Sequence, residues 1–152
     1  MKHFTLTVFA LLALLFAQAQ TTIYSQTFSS TALPAGWQNV DVTGTGAGTW
    51  TRKTSAHSFA SSTASNGFMI FDADALGNDS KPENADLTTA AINCSANAHV
   101  VLEFQQFFQQ YQSAQGTVSV STDGSTWNTV YTVSATTDNP QIVSVDLTAY
   151  AA

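Results

Sequence analysis

Short runs of aromatic and β-branched residues, each closed by a cluster of Gly, Asn, Asp, Ser or Pro, recur along most of the chain, and this punctuation is what most restricts its fold. Runs of roughly four to eight such residues between turn formers read as strands. The spacing predicts strands at Ile23–Phe28, Trp37–Val42, Thr49–Lys53, Phe68–Phe71, Asp86–Ile92, Val100–Tyr111, Thr117–Ser121, Trp127–Val133 and Ile142–Asp146. Many short strands in succession predict an all-β sandwich or barrel and not an α/β fold. Val118 and Val120 fall on one face of their strand, with Thr117, Ser119 and Ser121 on the other. Val143 and Val145 repeat that half-buried pattern.

Two segments need closer reading. Val101, Phe104, Phe108 and Tyr111 match heptad spacing and would suit an amphipathic helix. Three Phe, a Tyr and two adjacent Val in the same stretch prefer a strand, and no capping box precedes it. A long strand is therefore expected. Val118 to Trp127 reads as a hairpin, with Asp123-Gly124 suited to the positive-φ centre of a type I′ turn. The same stretch resembles the Asp-box of sialidase-type propellers with one residue missing. A single copy without repeats predicts a turn role for Asp123 and no propeller.

Residues 1–19 stand apart. Lys2 and His3 precede an apolar run from Phe4 to Ala17, and Ala17-Gln18-Ala19 is a small-x-small cleavage site. That is the layout of a secretory signal peptide, and the run is too short for a spanning helix. The expectation is an exported protein, secreted or at the cell surface, with residues 20–152 forming one domain that does not insert in a membrane. The net charge is −6, and beyond the leader only Arg52, Lys53 and Lys81 are basic. Nucleic acid and anionic lipid are poor partners for such a chain, since both recruit Lys and Arg. Three Trp, ten Phe and four Tyr separate it from disordered sequences, which are poor in aromatics. Cys94 is the sole cysteine and closes no disulfide. It reads as a small buried hydrophobe, and strand alternation would turn it away from His99.

Two clusters are candidate sites. Asp72 and Asp74, followed by Gly77, Asn78 and Asp79, make an oxygen-rich loop that Asn84 and Asp86 extend. In an extended segment Asp72 and Asp74 would project to one side, as a calcium ion needs. The spacing is not that of an EF-hand, and a solvated acidic turn explains the same composition. The second cluster is Glu103, Gln105, Phe107, Gln109 and Tyr111, which share one face of an extended strand. Rings that stack on a sugar beside amides and a carboxylate would bind a glycan; Phe107 and Tyr111 in the core beside inert glutamines are the other reading. Trp37, Trp50 and Trp127 sit at strand starts and are expected in the core. Glu103 reads as the one strand-borne acid, with no second carboxyl paired to it by spacing. A glycosidase needs two, so no catalytic residue is expected.

The order of several short segments resembles the choice-of-anchor J and cleaved-adhesin domains, MAM-like jelly rolls of exported Bacteroidota proteins. The matching pieces are Thr27-Phe28 with Leu33-Pro34-Ala35-Gly36-Trp37, Thr49-Trp50, and Gly67 to Asp74. They continue with Asp86-Leu87-Thr88, Leu102-Glu103-Phe104, Val118 to Trp127, and Val145 to Tyr150. The resemblance implies an antiparallel jelly-roll-like β-sandwich and a structural calcium near the Asp72–Asp86 loop. It further implies a non-catalytic adhesion or binding module whose partner is a glycan or an extracellular protein. Ala90 stands where the family usually has Pro. Family members also continue past the Asp-Leu-Thr-x-Tyr segment, so the domain is expected to lack its last strands. An accessory domain of a secreted peptidase or glycoside hydrolase, or a structural spacer, fits the same resemblance.

Overall fold

A computed structural model describes residues 20–46, 48–55, 57–77 and 82–151, and the leader at 1–19 lies outside them. The chain is all-β, with strands β1 Gln38–Asp41, β2 Thr51–Lys53, β3 Phe68–Ile70, β4 Ala85–Thr88, β5 Val101–Gln106, β6 Gly116–Val120, β7 Asn128–Val133 and β8 Gln141–Asp146. A single helical turn, α1 Ala73–Leu76, and a 3-10 turn at Thr148–Tyr150 complete the described elements.

The expected strand at Ile23–Phe28 does not form. At its end the backbone of Phe28 bonds side chains instead of a strand partner: Phe28 N donates to Gln26 Oε1 at 2.6 Å, and Phe28 O accepts from Arg52 Nε at 2.6 Å. Phe28 itself turns to φ 53°, which ends any extended run. The ambiguous stretch after Val100 is a strand and no helix, but it stops at Gln106. Beyond that point Phe108 N and Gln110 N donate to the hydroxyls of Thr137 and Thr136, at 3.0 and 3.1 Å, in place of a ladder partner.

All four ladders are antiparallel and two-stranded: β1 with β4, β2 with β3, β5 with β8, and β6 with β7. In each half of the chain one pair is thus nested inside another. The first half is tied by Trp50, whose indole N–H donates to Ala85 O at 3.0 Å and whose ring lies 6.2 Å from Phe71. Asn39 bonds the Trp50 backbone at both its N–H and its carbonyl. In the second half, Phe104 of β5 meets Tyr131 of β7 edge-on at 6.1 Å, a favourable geometry for aromatic rings. Gln106 reaches both Tyr131 Oη and Gln141 Oε1, so the polar rim of that contact is satisfied.

Among the described residues, Phe68, Val100, Val133, Val143 and Val145 are the buried apolar side chains. The alternation expected for β6 and β8 holds, with Val118, Val120, Val143 and Val145 turned inward. The halves are joined at Asn139, whose Oδ1 accepts from Ala60 N at 2.8 Å and whose Nδ2 donates to Ser58 O at 2.9 Å. These two bonds flank Phe59, which stacks edge-on against Phe68 at 5.1 Å.

The β6–β7 hairpin is present, but its turn is not type I′. Gly124 has φ 73°, whereas Asp123 keeps a negative φ, and residues 121–127 form a wider loop. Asp123 organises it: Oδ1 accepts from Ser125 N and Thr126 N, both at 2.7 Å, and from Ser121 Oγ at 2.9 Å. These donors hold its carboxyl well below the usual carboxylate range, the Thr126 and Ser125 amides first. Folding therefore favours the ionised form. Its stabilisation is complete above the ordinary aspartate value of about 3.9 and is lost as the pH falls below it. Melts at about pH 5 and about pH 2.5 should show a smaller acid loss for Asp123→Asn than for the wild type. An equal loss in both would remove Asp123 from the acid sensitivity.

Candidate functional site

The open face of the β5–β8 ladder gathers most of the outward-facing chemistry. Alternation in β5 turns Leu102, Phe104 and Gln106 inward and Val101, Glu103 and Gln105 outward. The register sets Val101 opposite Asp146, Glu103 opposite Ser144 and Gln105 opposite Ile142. Six side chains therefore form a two-by-three grid: two aliphatics, two carboxylates, an amide and a hydroxyl. Val101 is 47% exposed and Ile142 65% exposed, so this is not a core face.

Of the residues expected along this strand, Glu103 and Gln105 lie on the grid. Phe107, Gln109 and Tyr111 do not, because β5 has ended. Phe107 is half-buried, Gln109 is exposed, and Tyr111 stands 72% exposed at a turn closed by Ala114 N to Tyr111 O at 3.0 Å. The single-face alignment of all five thus fails at its outer end, where the chain leaves β geometry to bond Thr136 and Thr137.

Glu103 also has an acidic neighbour. Asp146 sits diagonally across the ladder, where neighbouring residues are generally about 7–8 Å apart and their Cβ atoms somewhat closer. Only the register reveals this, since the two are far apart in sequence. The Thr148 side chain, then its backbone N–H at 2.8 Å, lowers the Asp146 pKa, with a smaller contribution from His99. That is the opposite of what a general acid requires. Both carboxylates stand in solvent on an open ladder face, which suits ionic recognition better than proton transfer.

The acidic loop departs from the extended geometry expected of it. Asp72 caps α1, accepting from Ala75 N at 3.2 Å, and lies 3.1 Å from His57 Nε2. Asp74 follows inside the helical turn, so the two carboxylates do not project to one side as on a strand. Asp86 points outward from β4, and the Asn84 carbonyl accepts from Val42 N at 2.9 Å. Among the described residues, no three His, Cys, Asp or Glu side chains converge as a metal cage requires. Asn78 and Asp79 lie outside the described residues.

Trp37 and Trp50, expected in the core, are half-buried, the first edge-on to Phe28 at 5.7 Å and bonded to Tyr24 Oη. Trp127 is more open still, 50% exposed at the end of the hairpin loop. Cys94 is half-buried in a turn closed by Asn97 N, not on a strand. No described helix is long and apolar enough to cross a membrane. No protein-family model, curated protein or solved structure matches the chain.

Proposed function

We propose that this chain is an exported, non-catalytic binding module with a jelly-roll-like β-sandwich fold, related to choice-of-anchor J and cleaved-adhesin domains. Its partner, a glycan or an extracellular protein, is met at the open face of β5–β8. The observation that carries the reading is the grid itself: aliphatic and polar side chains exposed together on a regular ladder, a surface suited to recognition. The leader, the order of family-like segments and the all-β architecture support the same reading. Gln109 and Tyr111, exposed just past the end of β5, and half-buried Phe107 are candidates to extend the surface.

Calcium stabilisation is a second, separable proposal. It rests on the oxygen-bearing residues Asp72, Asp74, Asn84 and Asp86.

The test is an array of glycans and extracellular matrix proteins probed with the exported protein, in calcium and in chelator. Retention of at least one ligand class, lost in a Gln105→Ala, Tyr111→Ala double variant, is expected. Retention of nothing, or retention indifferent to both substitutions, would leave a structural spacer. Equal retention in calcium and chelator would remove the ion from the binding reaction.

A further inference from the structure

We infer that the partner of this face is a cationic extended peptide segment of another protein, added as a strand at the free edge of β5; this rests on the binding-module reading above. Three features lead there. First, β5 pairs only with β8, so among the described residues its other edge presents unpaired N–H and C=O groups. Such an edge is a template for strand addition, in which main-chain bonds provide affinity and alternate side chains specificity.

Second, an added strand would place its outward side chains beside Val101, Glu103 and Gln105. Glu103 is exposed at the middle of this set and has no hydrogen-bond or ion-pair partner among the described residues. Asp146 adds a second exposed carboxylate on the same face. A Lys or Arg beside Glu103 and apolar side chains over Val101 match that pattern.

Third, the occupant is not a second copy of this chain. The net charge of −6 opposes self-association through an acidic face. Arg52 is already committed to the carbonyls of Phe28, Ser29 and Asn66, and exposed Lys53 is the only other cation on three-residue β2, half the length of six-residue β5. A sugar fits less well on the ladder, because the grid holds no aromatic ring and exposed Tyr111 lies beyond the strand.

Binding is measured with peptides of about ten residues, enough to span six-residue β5, alternating Lys with Val or Glu with Val. The Lys peptide should bind the wild type and the Glu peptide should not. Glu103→Gln should weaken the Lys peptide about five- to tenfold. Glu83→Gln, which removes the same charge from an exposed loop, should change it by less than about twofold. Equal binding of both peptides, or equal losses in the two variants, would overturn the inference. A glycan retained through Gln105 and Tyr111 with no peptide bound would overturn it while sparing the binding module. Retention of neither class would remove both.

Discussion

Gly67→Ala is expected to destabilise the protein by about 3 kcal/mol or more, a large share of the stability of an ordinary domain. Gly67 is buried just before β3 with φ +135°, a conformation that side-chain-bearing residues rarely adopt. A Cβ there would also crowd the Phe28 carbonyl oxygen and stand 2.6 Å from Arg52 Nη2. Arg52 cannot simply swing away. Its guanidinium holds three backbone carbonyls, and losing it would leave those acceptors without their charged donor. Gly77→Ala is the matched control: its φ is +83°, but a Cβ would meet nothing within 4 Å among the described residues. With ψ −176° it lies in a region that is essentially glycine's alone, so it should show only the backbone penalty, about 1–3 kcal/mol. Thermal melts followed by circular dichroism separate the two, and coincident melts would remove the Arg52 crowding from the account.

Phe68→Ala should be of similar size, about 3–5 kcal/mol for truncating a buried ring. Phe68 is only 8% exposed and packs against Phe59, whose backbone neighbours are held by Asn139 from the other half. The cavity would therefore open where the halves meet, and not within one ladder. Phe68→Leu keeps most of the volume and should lose less than half as much. Urea unfolding monitored by tryptophan fluorescence gives both values. Equal and small effects would place Phe68 outside the core.

Where the strands fall was largely legible in the residues, because β-branched runs and turn clusters alternate at strand length. Ile23–Phe28 misled because composition cannot show that Gln26 and Arg52 would take the backbone N–H and carbonyl of Phe28. The candidate site was legible only in part. Period-two alternation identified Glu103 and Gln105, but the end of β5 depends on Thr136 and Thr137, far along the chain. Val101, Ile142, Ser144 and Asp146 were missed as site residues for a related reason. Their membership is set by cross-strand register, which long-range pairing determines. The Asp72–Asp74 spacing suggested a shared side only while the segment was taken as extended; Asp72 acting as a helix cap changes that geometry.

The nested pairing also implies an order of assembly. The loop at 121–127 is the shortest connection between paired strands, so β6 and β7 can meet with the least loss of chain freedom. Once they have met, the ends of β5 and β8 are already brought near each other, and the outer ladder closes over a shortened effective loop. The same logic applies to β2 and β3 within β1 and β4, with a longer loop at 54–67. Each half can thus fold from the inside outward, and the second half should lead because its inner loop is the tighter one. The binding ladder, β5–β8, is then the late-closing outer layer of the faster half, with its open edge exposed from the moment it forms.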